Sequence, residues 1–460
     1  MAAGRGRDLP RPLLQRTNRF GRGALGAAAV ARDWDMATDG DADGRPGMTA
    51  PGHDGTGAPP PAGVPVTAMV VVALAALVAV GPLAIDMYLP AMPDIAADLG
   101  ATPGAVQGSL SLFLLGFAAG QLFWGPLSDR IGRRRPVAAG MLLFIAAGAA
   151  CAFATGAGQL SGLRLAQSLG AAAGPVLARA MVRDLAEREA AASLLSALTL
   201  VMSIAPLAAP MIGAEVLALG GWRPIFLVLA VLGLLILLLA WLAVPETLPA
   251  ARRRQAPALS IGYDYLSLLT DRRFLMPALA AAAPQNGMFA YIVASPFVFV
   301  TQFGLPPWAF SLIFASNVVG IIIGTAMNRR LLRALGLARL QRLGVALLLV
   351  AGGMLLLAAL GLSTGLLHGW QWLPLPLFLY LAAFGFVVPN ATAAALTRAG
   401  RMAGTASAVL GCLGFGGGAV AGGLVGLIGG GPALAMALVM AGLAVVCAVT
   451  SRIGRDAFAA

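Results

Sequence analysis

The chain of 460 residues is 59% hydrophobic and only 11% charged, which leaves too little polar surface to cover a water-soluble globule of this size. Its net charge of +12 is carried by arginine without a single lysine and sits in short blocks between apolar stretches, so it does not mark a nucleic-acid surface. Cys151, Cys412 and Cys447 fall inside apolar stretches, while His53 and His368 lie outside them, which argues against a disulfide framework, a metal site or histidine-based catalysis.

Residues 1–63 hold eight arginines, seven aspartates and many Gly and Pro, with no stretch able to span a bilayer. They read as a disordered cytoplasmic extension. From Val64 onward the apolar stretches predict an all-α membrane protein of twelve transmembrane helices. These are placed near 66–90, 107–125, 136–156, 159–180, 191–215, 222–244, 273–301, 307–327, 340–362, 372–396, 402–428 and 432–451. Each approaches the ~20 residues that cross a ~30 Å hydrocarbon core. With the N-terminus in the cytoplasm, 29 of the 31 basic residues fall on cytoplasmic segments, leaving Arg164 and Arg223. The positive-inside rule then puts both termini in the cytoplasm.

The longest internal connection, 245–272, reads as a cytoplasmic central loop between a six-helix half over 64–244 and another over 273–460. A shift of 199 residues aligns Gly125, Asp129, Arg130 and Arg134 with Gly324, Asn328, Arg329 and Arg333. Parallel repeats of this kind build transporters whose substrate site lies between the halves near the midplane.

Asp86, in Gly81-Pro-Leu-Ala-Ile-Asp-Met-Tyr-Leu-Pro90, stands late in the first span. An ionised carboxylate there costs ~2.5–3.5 kcal/mol on insertion scales. Taking up a proton relieves that cost, so Asp86 is suited to couple proton flow to a conformational change. Arg164 on the fourth span stays charged and needs acceptors. It is expected near the same outer level, where it would compete with the proton for Asp86.

The run Gly125-Pro-Leu-Ser-Asp-Arg-Ile-Gly-Arg-Arg-Arg135 is a charged hinge between spans two and three. Asp129 is expected at a helix N-terminus, and Arg130 and Arg133 against carboxylates of neighbouring helices, forming a conformational latch with Gly125, Gly132 and Arg134. Asn328 replaces the acid in the second half at the 199-residue shift, which predicts a weaker latch there. Pro206, Pro210 and Gly213 in the fifth span allow bending and close packing. Gly414, Gly418, Gly422 and Gly426 put one glycine face on the eleventh span, best explained by helix packing. Candidate cavity residues are Tyr88, Gln167, Asn286, Phe289, Tyr291, Asn317 and Asn390, polar or aromatic positions in apolar spans. So few hydrogen-bonding groups suit small amphiphilic molecules better than sugars.

Without lysine no nucleotide-binding P-loop can form, so no cofactor is expected and the energy must come from ion or substrate gradients. The hinge motif resembles the signature of the major facilitator superfamily. Ala84-Ile-Asp-Met-Tyr-Leu-Pro-Ala-Met-Pro93, Ser203-Ile-Ala-Pro-Leu-Ala-Ala-Pro210, Pro245-Glu-Thr-Leu-Pro249 and Met402-Ala-Gly-Thr-Ala-Ser407 resemble its Bcr/CflA drug-resistance branch. The resemblance covers about 66–452, and departs at Ser168 and Ala214, where glycine is usual. It implies proton-coupled drug efflux across the bacterial inner membrane driven by the proton motive force. By resemblance, Asp86 and Arg164 serve proton coupling and Pro206, Pro210 and Gly213 form the antiporter motif. The partners implied are a small amphiphilic substrate, protons and the lipid bilayer, with no nucleic acid and a monomeric chain. A proton symporter importing a nutrient and a non-transporting membrane sensor or scaffold are the alternatives. No nucleophile–base pair suggests an enzyme.

Overall fold

The computed structural model describes residues 67–186, 188–253, 258–399 and 402–458. The extension over 1–63 therefore lies outside the described residues, as do Arg254 and the side chain of Ser203. Among the described residues the fold is entirely helical. The elements are α1 (Ala68–Asp86), α2 (Met92–Asp98), α3 (Pro103–Ile131), α4 (Arg134–Cys151), α5 (Ala157–Ala171), α6 (Ala173–Leu185), α7 (Arg188–Gly220) and α8 (Arg223–Ala243). They continue as α9 (Ala258–Thr270), α10 (Arg272–Pro296), α11 (Pro307–Leu335), α12 (Leu337–Ser363), α13 (Pro374–Ala399), α14 (Ala403–Leu427), α15 (Pro432–Ile453) and α16 (Arg455–Phe458).

Among the described residues, ten helices are long and apolar enough to cross a membrane. The α5–α6 pair and α10 bring the bundle to the expected twelve spans. The pair is interrupted at Ala172, ahead of Pro175, whose missing N–H leaves the Ala171 carbonyl without its helical donor. Helix α10 is rich in alanine and carries Gln285 and Asn286, which dilute its hydropathy. Pro284 within it frees the carbonyl of Ala280, and the Cys447 thiol of α15 donates to that oxygen at 3.3 Å.

Proline also ends α1 at a functional position. Pro90 cannot donate to the carbonyl of Asp86, so the helix stops there and passes through a 3-10 turn, Leu89–Ala91, into α2. Side chains on the outer surface, among them Leu142, Leu235, Leu242, Leu357 and Val449, are exposed and apolar, as a lipid-facing belt requires. Trp241, Trp308, Trp370 and Trp372 are exposed near helix ends, the level where aromatic belts form.

Two boundaries differ from the sequence expectation. Helix α3 runs on to Ile131, so most of the charged run is helical and only Gly132-Arg133 turns the chain. Gly132 permits this with φ +95°. Helix α9 forms where a loop was expected, burying Leu268 against Phe274 and Ala406.

The repeat also has a different register. Pro103, Gly116, Gly120 and Gly132 of α3 correspond to Pro307, Gly320, Gly324 and Gly336 of α11, a shift of 204 residues. Gly120 faces Leu169 and Ala172, and Gly324 faces Ala382, so both glycines bring a neighbouring helix close. Asn328 thus matches Trp124, not Asp129. It forms a reciprocal amide pair with Asn390 (2.9 and 3.3 Å), buried between α11 and α13.

Helices α1 and α3–α8 pack on one another, as do α10–α15, and the two sets meet where α3 lies along α14 and α7 along α11. Glycine sets the α14 spacing. A Cβ at Gly411 would meet Gln121 of α3, and one at Gly414, Gly417 or Gly418 would meet Gln285, Asn286 or Phe289 of α10. One at Gly422 would meet both Ser111 and Val293. These glycines are packing positions.

Candidate functional site

A cavity of about 620 Å³ lies between the two helix sets. Phe117, Phe289 and Phe415 form a cluster in its wall, with ring centroids 4.5 Å (Phe117–Phe415) and 5.2 Å (Phe289–Phe415) apart. Gly81 of α1 makes room for that cluster, since a Cβ there would stand 2.8 Å from the Phe117 ring. Polar groups in the wall are few: Asp86, Tyr291, Asn317, Gln121, Gln285, Thr392, Ser407 and Arg179. Such a lining holds amphiphilic molecules by shape and burial, with orientation left to a few polar contacts.

The cavity is closed at the end of the bundle where α3 begins and α14 finishes. There Gly104 and Gly426 bring the two backbones together, with a Cβ at Gly104 only 3.1 Å from the Gly426 oxygen. On the other seam Ser311 Oγ of α11 donates to the Pro210 carbonyl of α7 at 3.2 Å. Toward the opposite end α14 packs on α9 and α10 through Ala406 and Val409, and a Cβ at Gly404 would meet nothing within 4 Å. Arg179, Leu396 and Ser407 line the cavity on this side.

Asp86 lies at the broken end of α1, 4% exposed and in the cavity wall. Among the described residues its carboxylate has no hydrogen bond and no ion pair. Asn317 Nδ2 donates to the hydroxyl of Tyr291 at 2.9 Å in the same wall, and Asn317 Oδ1 is buried without a partner. An acid surrounded by so little compensation is held in a place where its charge state matters.

Arg164 does not pair with Asp86. Its guanidinium is fully buried behind the cavity, where Nη1 donates to Gln167 Oε1 at 2.7 Å and Nη2 to the Ala84 carbonyl at 3.0 Å. Rings of Phe113, Tyr88 and Phe226 surround it at 4.1, 4.6 and 5.7 Å. Aromatic faces replace the expected carboxylate as the groups that stabilise the cation. Tyr88 is fixed in turn by a 2.8 Å hydrogen bond with Ser109. Ser168, where glycine is usual, is accommodated because it faces Gly116 of α3.

At the open end the charged run is tied down. Arg133, 6% exposed, donates from Nε to Asp184 Oδ2 at 2.8 Å, and from Nη1 to Ser128 Oγ and Asp129 Oδ1 at 2.6 and 2.5 Å. Asp129 therefore closes the last turn of α3 and does not cap α4. The cap is Glu246, which accepts from the backbone N–H of Arg133 and Arg134 at 2.8 and 3.2 Å and of Leu248 at 3.0 Å. Arginines at the first turn of α4 oppose the helix dipole, and the Glu246 carboxylate offsets that. Burial pushes the Glu246 carboxyl up, but the three backbone donors and the Arg253 guanidinium outweigh it and hold it below the ordinary glutamate value. Arg134 stacks on Trp241 at 4.1 Å and donates to its carbonyl at 2.6 Å. Arg130 is engaged as well. Gly125 has a Cβ's room beside Val176.

Of the expected cavity residues, Phe289, Tyr291 and Asn317 line the space. Tyr88 and Gln167 serve Arg164 instead, Asn286 is pressed against Gly417, and Asn390 pairs with Asn328. Pro206 lines the cavity, Pro210 offers its carbonyl across the seam, and Gly213 lets α7 rest on the Met87 carbonyl. At the closed end Arg223 pairs with Asp98 at 2.7 Å in an exposed position. Sequence reading missed Arg179, Asp184 and Glu246. The first was counted among loop arginines, Asp184 had nothing local to mark it, and Glu246 was noted only as part of the Pro245-Glu-Thr-Leu-Pro249 motif, without a role.

Comparison with known proteins agrees with this architecture. The profile of the Major Facilitator Superfamily matches residues 74–423. The "Bicyclomycin resistance protein homolog" of Haemophilus influenzae is 32% identical over 75% of this chain and 85% of its own length. "Multidrug resistance protein D" of Escherichia coli is 30% identical over 74% of this chain and 84% of its own. The crystal structure of a D-xylose-proton symporter superposes with a TM-score of 0.64 at 16% identity, over 83% of this chain and 97% of that one, a likeness of fold.

Proposed function

Since the chain belongs to the major facilitator superfamily, in its Bcr/CflA drug-resistance branch, we propose that it exports small amphiphilic compounds in exchange for protons. The observation that carries this reading is Asp86, an acid without a partner among the described residues, in the wall of an apolar cavity closed at one end. The arginine distribution supports a latch end and both termini in the cytoplasm of a bacterial inner-membrane protein. The cavity is then open inward. A substrate taken from the cytoplasmic side favours the ionised form of Asp86 by donating to it, and a proton arriving from outside reverses this. Arg164 positions the last turn of α1, and the Arg133–Asp184–Glu246 cluster keeps the cytoplasmic ends of α3, α4 and α6 together during rocking. One charge crossing 100 mV supplies ~2.3 kcal/mol, enough for a gradient of roughly fiftyfold in a neutral substrate. The cycle needs no cofactor and is complete in one monomeric chain.

The test is a susceptibility panel in a pump-deficient bacterial host, with wild type and Asp86→Asn at matched expression. Resistance to some compounds that vanishes in the variant is the expected result. Resistance to none removes the export reading, and resistance unchanged in the variant removes Asp86 from the coupling.

A further inference from the structure

Arg179 is exposed, yet its exposure is to the cavity, whose wall it forms on α6. Among the described residues it has no ion pair and no hydrogen bond, in contrast to Arg133, Arg134 and Arg164, each of which is held by named partners. Among the described residues, Asp86 is the only carboxylic acid and Arg179 the only basic side chain in that wall.

Their levels can be placed. Gly174 of α6 lies against the Leu77 carbonyl of α1, so the two backbones are level there. Asp86 is nine residues on toward the closed end and Arg179 five residues on toward the open end. At ~1.5 Å per residue the two backbones are roughly 20 Å apart along the bundle. The Phe117–Phe289–Phe415 cluster, level with Gly81, lies between them. A molecule entering from the open end meets the guanidinium first, then the aromatic wall, then the acid.

We infer that Arg179 is a charge-selecting residue at the cavity mouth, which admits anionic and acceptor-bearing amphiphiles and disfavours cationic ones. A guanidinium offers a planar fork of donors that matches a carboxylate, sulfonate or nitro group. With no acceptor bonded to it among the described residues, that fork is available to the substrate. A cation has to pass it where, among the described residues, no carboxylate is paired with it to neutralise the repulsion, inside walls that screen little. Substrates are then amphiphiles with an acceptor or anionic group left at Arg179 and an apolar body on the phenylalanines. This rests on the proposed function, because it assumes the cavity is the substrate site.

The test uses the full chain purified in lipid nanodiscs and three fluorescent probes on one scaffold: N-dansylglycine, its methyl ester, and dansylamidoethyl-trimethylammonium. The wild type is expected to bind the carboxylate at least about tenfold more tightly than the quaternary ammonium, with the ester between. Arg179→Gln is expected to lose that ratio while binding the ester unchanged, and Arg179→Lys to retain part of it. Arg179→Gln removes no bond formed among the described residues, and ester binding reports that the cavity is intact. Equal binding of all three probes by the wild type, tighter binding of the ammonium, or a ratio that survives in Arg179→Gln overturns the inference and leaves the export reading standing. Binding of none of the three by the wild type overturns both.

Discussion

Arg164 reaches the carbonyl of Ala84 through a 3.0 Å hydrogen bond, two residues before the acid it was expected to pair with. The guanidinium is thereby bonded to the last turn of α1, just ahead of the break at Pro90. Lysine cannot reproduce a planar group that bonds Gln167 and Ala84 at once inside three aromatic rings. Arg164→Lys is expected to reduce transport at least about tenfold while the protein still binds substrate, and Arg164→Ala to lower thermal stability as well. Paired transport and binding assays on the purified variants check this. A lysine variant with full transport would assign Arg164 to packing alone.

Glu246 gives the latch a pH signature. Its folded-state value lies below the ordinary 4.5, so its contribution to stability is present above that value and is lost as pH falls through the depressed one. Glu246→Gln is expected to melt lower than wild type at neutral pH, and the difference is expected to shrink below about pH 4.5. Melting curves followed by intrinsic fluorescence across that window decide it.

Gly132 holds φ +95° with Glu246 Oε2 in the space of a Cβ, 2.6 Å away. Gly132→Ala is expected to destabilise by about 1–2 kcal/mol from backbone conformation alone, and by more because the cap is displaced. A Glu246→Gln background should not rescue it, since the amide is as large as the carboxylate.

Along α14, Gly417→Ala and Gly418→Ala are expected to lower expression and melting temperature because each methyl group meets α10. Gly423→Ala, with nothing within 4 Å, is expected to be neutral on this count. Equal behaviour of the three variants would remove packing as the reason for the glycine face.

The Asn328–Asn390 pair predicts a cycle. Asn390→Ala leaves a buried amide unsatisfied and is expected to cost about 1–3 kcal/mol. The double change of both residues to leucine is expected to cost less than the sum of the single changes, as a double-mutant cycle in melting experiments would read.

The twelve spans were legible in the sequence because a bilayer crossing requires an apolar stretch whatever it packs against. The face that each span turns inward was not. Glu246 read as a loop acid, since the amides it caps are 113 and 112 residues away. Arg179 read as one more loop arginine because the count of basic residues ignores which side of α6 they occupy. The repeat was visible but out of register: arginine blocks match one another at several shifts, whereas the helix-ending Gly132 and Gly336 fix a single one. The acid in the first span was found because a carboxylate in an apolar stretch is conspicuous by itself. Its cage of Tyr88, Phe113 and Phe226 around Arg164 was hidden because aromatic residues are ordinary in a membrane helix.

The Glu246 cap also determines how far the chain beyond α8 stays on the bundle. With Glu246 fastened to α4 and Thr247 Oγ1 donating to Asp184 at 3.1 Å, the segment does not leave the bundle at Ala243 but only after Leu248. A protease site or reporter inserted between Ala243 and Leu248 would uncap a helix more than a hundred residues upstream.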